Sequence, residues 1–96
     1  MFFVSESIRI CGKCGTPKKI EWDLDVVDSY EKDLGINNIY ASEKEIVCEK
    51  CGSRILATFR VSEYPEGILE DKEVYINYDE AGGSQIVSPE VEFYDL

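Results

Sequence analysis

Four cysteines carry the clearest chemical capacity in this chain, arranged as "CGKCG" at 11–15 and "CEKCG" at 48–52. A Cys-x-x-Cys pair on a tight turn presents two thiolates about one ion apart. The glycine after each second cysteine lets backbone amides approach the sulfurs without a Cβ in the way. Two such knuckles facing each other complete a tetrahedron. The doubled motif therefore points to one metal site ligated by Cys11, Cys14, Cys48 and Cys51. Disulfide pairing belongs to oxidising compartments, and a thioredoxin-like use of one pair needs a βαβ setting that this sequence lacks.

The chain contains no histidine. Its metal would be held by sulfur alone, and a zinc ion with four thiolates has no open position for water or substrate. The usual general base is missing too, so a Ser-His or Cys-His nucleophile cannot be assembled from this chain. Asp23 with Asp25, and Glu90 with Glu92, are acids at i, i+2. That is how any solvated strand face looks, and no catalytic residue is assigned.

The elements that must position the cysteines read as strands. After the first knuckle, "KKIEWDLDVV" sets Ile20, Trp22, Leu24 and Val26 against Glu21, Asp23 and Asp25. After the second, "SRILATFRVSEY" sets Ile55, Ala57, Phe59 and Val61 against Thr58, Arg60 and Ser62. Each knuckle thus lies in a strand, knuckle, strand plan. Between them, "DSYEKDLGINN" admits two readings: a short helix with Asp28 as N-cap and Gly35 as stop, or an extended arm ending in a Gly-Ile-Asn-Asn turn. "EYPEG" at 63–67 breaks the preceding strand. "EVYINY" and, past an "AGG" turn at 81–83, "SQIVSPEVEFY" read as two more strands, the last interrupted by Pro89 and expected at an edge. The expected fold is mainly β, one domain over residues 1–96, with an acidic β-rich extension from about 63 to 96.

Ten basic against twenty acidic residues give a formal charge of −10. The imbalance is local: residues 1–20 hold Arg9, Lys13, Lys18 and Lys19 against Glu6, while residues 61–96 hold ten acids against Lys72. Such a molecule repels nucleic acid and membrane surfaces and attracts basic partners. Tyr64, Tyr75, Tyr78 and Tyr94 interleave with the acids, as in recognition surfaces. Arg9, Lys13, Lys18 and Lys19 could touch phosphates, or could neutralise the thiolates and their acidic neighbours. Trp22, among alternating apolar residues, is expected in the core. The opening "MFFV" is too short and too soon followed by charge to be a signal-peptide core, and no later stretch approaches a membrane span, so the expected location is cytoplasmic.

"CGKCG…CEKCG" flanked by strands resembles the zinc-ribbon group, whose members use the metal structurally and present the ribbon to a protein or nucleic acid. "SYEKDLG" at 29–35, "CEKCG", "EYPEG" and "GG" at 82–83 resemble a set of small uncharacterised bacterial zinc-ribbon proteins carrying those blocks in that order. That resemblance implies a fold and no function. The chain lacks the proline often found inside a C-P-x-C-G knuckle. Rubredoxin is the competing relative, with two such knuckles around redox-active iron, and four thiolates accept either metal. The leading expectation is a structural-zinc, non-enzymatic module that docks a basic protein as an accessory or inhibitory subunit. A rubredoxin-like iron electron carrier and a nucleic-acid-binding ribbon are the alternatives. "MFFV" and the Pro89 strand are edges through which two copies could pair.

Overall fold

The computed structural model describes residues 2–93. Tyr94 and Asp95, counted above with the acidic extension, lie outside the described residues. Within them the chain forms nine strands and no helix: β1 (Phe2–Val4), β2 (Ser7–Ile10), β3 (Pro17–Ile20), β4 (Asp25–Lys32), β5 (Gly35–Val47), β6 (Arg54–Glu63), β7 (Leu69–Asp79), β8 (Gln85–Ile86) and β9 (Val91–Phe93). All pairings are antiparallel. A four-stranded meander runs β4-β5-β6-β7, a smaller sheet runs β3-β2-β8, and β1 pairs with β9. The fold is thus mainly β, with the four cysteines gathered where two hairpins turn.

Alternation in β6 organises the core. Ile55, Ala57, Phe59 and Val61 are all fully buried. Cross-strand partners on the same face include Ile46 opposite Ile55 and Tyr40 opposite Val61 from β5, and Val74 opposite Phe59 from β7. The smaller sheets cover this face with Ile20, Trp22 and Val91. Trp22 packs on Phe59 with ring centroids 5.6 Å apart, and Tyr40 on Phe93 at 6.2 Å. Each large side chain so enclosed contributes about 1.5–3 kcal/mol.

Side chains on a strand alternate between faces, so the intervening residues form the opposite face of the meander. Its cross-strand rows read Asp28, Ile39, Ser62, Asp71; then Asp25, Ala41, Arg60, Glu73; then Glu43, Thr58, Tyr75; then Glu45, Leu56, Tyr78. Ile39 is buried within its row, whereas the acids, Arg60 and the tyrosines are exposed.

Several expectations are corrected. Residues 28–35 form no helix. Asp28 instead accepts hydrogen bonds from the Ser29 amide at 2.9 Å and from the Tyr30 hydroxyl, and the β5 ladder satisfies the backbone. Val26, Val27 and Tyr30 suit a strand better than a helix. The hairpin turns at Asp33 and Leu34, before Gly35 rather than within Gly-Ile-Asn-Asn. The strand expected through "KKIEWDLDVV" stops at Ile20, because the chain crosses there from the small sheet to the meander. Side chains replace the ladder: Trp22 Nε1 donates to Ser7 Oγ at 2.7 Å, and the Asp23 amide to Ser42 Oγ at 3.1 Å. Burial alternates as far as Leu24, but Val26 is 56% exposed. Around buried Pro89, which has no amide to give a ladder, "SQIVSPEVEFY" divides into β8 on β2 and β9 on β1. Of the "MFFV" stretch, Met1 lies outside the described residues, and Phe2, Phe3 and Val4 pair with residues 91–93 of their own chain.

Candidate metal centre

The first knuckle joins β2 to β3 and the second joins β5 to β6, and the two are built alike. The Gly15 amide donates to the Cys11 carbonyl at 2.8 Å, and the Gly52 amide to the Cys48 carbonyl at 2.9 Å. The Cys11 amide then bonds the Thr16 carbonyl at 3.2 Å, and the Cys48 amide the Ser53 carbonyl at 2.9 Å. Gly15 and Gly52 have φ of 73° and 75°, left-handed values that glycine adopts without steric cost. The motif thus dictates the turn, and the turn aims both sulfurs inward.

The structure brings together all four cysteines expected as ligands. Their sulfurs lie within 4.8 Å of one another, with Cys11 Sγ 3.6 Å from Cys51 Sγ and Cys14 Sγ 3.5 Å from Cys48 Sγ. None is in a disulfide. Metal–sulfur bonds of about 2.3 Å place tetrahedral sulfurs about 3.8 Å apart, so the cluster fits a four-thiolate divalent ion. Cys11 and Cys48 are buried, while Cys14 and Cys51 are half-buried. Such a donor set is chemically open to zinc or iron.

Hydroxyls line the sulfurs in a pattern that the sequence reading missed. Ser53 Oγ lies 3.3 Å from Cys11 Sγ and 3.1 Å from Cys51 Sγ; Thr16 Oγ1 lies 3.1 Å from Cys14 Sγ. Both hydroxyls stand two residues after the second cysteine of their knuckle, so the repeated signal was C-x-x-C-G-[ST]. The Ser53 hydroxyl, then the amides of Cys14 and Lys13, outweigh burial and hold the Cys11 thiol down to about 5. The thiolate form is therefore favoured at neutral pH.

Arg9, expected near the knuckle as a phosphate contact or a neutralising charge, is fully buried. Its guanidinium donates to the Ser53 carbonyl at 3.3 Å, to Ser53 Oγ at 3.5 Å and to Ser84 Oγ at 3.3 Å. Arginine can only donate, so Ser53 Oγ accepts from it and turns its own proton toward the sulfurs. Ser84 Oγ likewise accepts from Arg9 and from the Gly12 amide at 3.0 Å, and donates to Asp79 Oδ1 at 3.0 Å. Arg9 Nε has no hydrogen-bond partner among the described residues. A cation is thus sealed one hydroxyl away from the thiolates. Lys18 pairs with Glu49 and Lys19 with Glu6 at 3.9 Å, so three of the four basic residues near the first knuckle are engaged within the chain.

Gly12 is the other missed residue. A Cβ there would stand 2.1 Å from the Gly82 carbonyl oxygen, so the turn at 81–84 packs directly on the knuckle. Of the carboxylate pairs considered, Asp23 bonds Lys44 at 2.6 Å and Glu90 approaches Lys72 at 3.3 Å. No protein-family model, curated protein or solved structure matches this chain. No helix among the described residues is long and apolar enough to cross a membrane.

Proposed function

We propose that the protein is a non-enzymatic binding module in which a structural zinc ion on Cys11, Cys14, Cys48 and Cys51 braces the meander. The open face of that meander docks a basic protein, and the chain serves as an accessory or inhibitory subunit. One observation carries the reading: the strand register sets six exposed carboxylates, Asp25, Asp28, Glu43, Glu45, Asp71 and Glu73, on one face with Arg60 among them. Three of the strands contribute. The acidic surface therefore includes residues that precede Cys51 and is wider than the extension at 63–96. Neighbouring strands lie about 4.8 Å apart and same-face residues about 6.8 Å apart along a strand, so the carboxylates form a grid that a basic surface can match. Tyr30 donates to Asp28, chiefly for which reason the Asp28 carboxyl sits below its ordinary value. Tyr75 donates to Glu73 at 2.6 Å.

Metal analysis and affinity capture from the host test the reading together. The expected protein is colourless with one zinc per chain, and captures a basic partner that the double variant Glu43→Lys, Glu73→Lys fails to hold. A red, iron-loaded protein would overturn the structural-zinc part. Salt-dependent binding to DNA or RNA, or a partner indifferent to the double variant, would overturn the docking part.

A further inference from the structure

The two edges of the meander differ. Along β7, Leu69, Lys72 and Val74 are half-buried and Lys72 Nζ reaches the Pro89 carbonyl at 2.8 Å, so residues 89–93 lie against the 69–74 part of that edge, whereas Tyr75 to Tyr78 are exposed. Strand β4 has β5 on one side and, among the described residues, no strand on the other. All eight of its residues are exposed. Val26 and Val27 are 56% and 58% exposed, Tyr30 48%, and Leu34 in the turn of the same hairpin 72%. An edge strand with free backbone groups and solvated apolar side chains is a template for another strand.

Charge decides what that strand is. β4 sets Asp25 and Asp28 on the open face and Glu31 with Val26 on the other, against Lys32, whose Nζ lies 4.9 Å from the Tyr64 ring centroid and so faces its own chain. A second copy pairing through β4 would set acid against acid. Like charges across a strand pair are destabilising, whereas opposite charges contribute roughly 0.2–1 kcal/mol per pair. The register shift between Val26 and Asp28 also leaves Val27 bulged, which limits continuous self-pairing.

We propose that the open edge of β4 is the seat for an extended segment of a partner protein in which basic residues alternate with apolar ones, added as a fifth strand. The seat is about 27 Å long, the span of eight extended residues. This rests on the reading above that the partner is basic, and names where its chain lies.

The test uses labelled ten-residue peptides with the full zinc-loaded chain: one alternating Lys and Val, one alternating Glu and Val, and one of the same Lys and Val composition in two blocks. The alternating Lys peptide should bind, slow hydrogen exchange of amides in 25–32, and lose at least tenfold in affinity against the double variant Val26→Lys, Asp28→Lys, which alters one residue on each face of the edge. The variant Glu43→Lys, Glu73→Lys, which changes net charge by more but leaves the edge intact, should bind it within about threefold of wild type. The other two peptides should bind at least tenfold more weakly. Equal binding of the block peptide, protection outside 25–32, or greater sensitivity to Glu43 and Glu73 would overturn the edge seat while leaving a basic partner on the open face. Failure of every basic peptide and of every basic protein to bind would overturn both. Protection of 25–32 that rises with protein concentration without peptide would assign the edge to a second copy instead.

Discussion

Replacing Gly12 with alanine probes whether the first knuckle and the 81–84 turn are one packed unit. The new Cβ would stand 2.1 Å from Gly82 O, 2.6 Å from Ser84 N and 2.7 Å from Gly83 C. All three are backbone atoms, so no rotamer relieves the clash. Reaching an ordinary contact of about 3.5 Å requires the turn to retreat by more than an ångström. That movement breaks the bond from the Gly12 amide to Ser84 Oγ and draws Ser84 away from Arg9 and Asp79. Overpacking costs about 1–3 kcal/mol and the lost hydrogen bond about 1, a total of about 2–4 kcal/mol. For a domain of this size the melting temperature should fall by roughly 10–25 °C, read by circular dichroism on the protein as isolated with its metal. Metal content should stay that of the wild type, because the strain lies toward the turn and not toward the sulfurs. Ser84→Ala combined with Gly12→Ala should cost less than the two single changes added, since both act on the same contact. A Gly12→Ala protein that melts like wild type would refute the packing described.

Three further outcomes are expected. Ser53→Ala removes the chief cause of the lowered Cys11 thiol; protons compete with metal as pH falls toward that value of about 5, so the variant should release zinc at higher pH in a chromophoric-chelator titration, and Thr16→Ala should shift release less. Arg9→Leu leaves the thiolates and Asp79 without their buried cation and should cost about 3 kcal/mol in urea unfolding, while Arg9→Lys, lacking the fork, should recover only part. For Glu63, burial pushes the carboxyl up, but bonds from the Tyr40 hydroxyl at 2.6 Å, the Gly67 amide at 2.7 Å and Asn38 at 3.1 Å leave it below its usual 4.5. Its contribution is complete above that value and disappears as pH falls through the lower folded one, so Glu63→Gln should be less stable at neutral pH and show a flatter acid limb in denaturant titrations.

What the sequence made legible follows from how local each signal is. The Cys-x-x-Cys-Gly turns depend on five residues apiece, and the alternation of Ile55, Ala57, Phe59 and Val61 on consecutive residues of one strand. Both were readable without tertiary context. Gly12, Arg9 and Ser84 acquire their roles from residues 44 to 75 positions away. No pattern in the neighbouring sequence announces such contacts. Residues 28–35 lay between these cases: Asp28 imitates a helix N-cap and Gly35 a stop, and only the β5 partner decides for strand. Sidedness was partly hidden as well. The acids of β4 and β5 join those of β7 on one face through register, and register becomes known only once the strands are paired.

Phe2 stands directly opposite Phe93 at one end of the β1 and β9 ladder. Tension applied between those residues pulls the two strands apart from the same end, and so opens three residue pairs one after another rather than shearing them together. Once they part, the pull through β1 reaches β2 and then the first knuckle, where a bound metal would resist it. A metal clasp on the cysteines would therefore shield β3 to β5 from force entering through β1, whereas force entering through β9 passes through β8 and the 81–84 turn to β7 with no cysteine on its path.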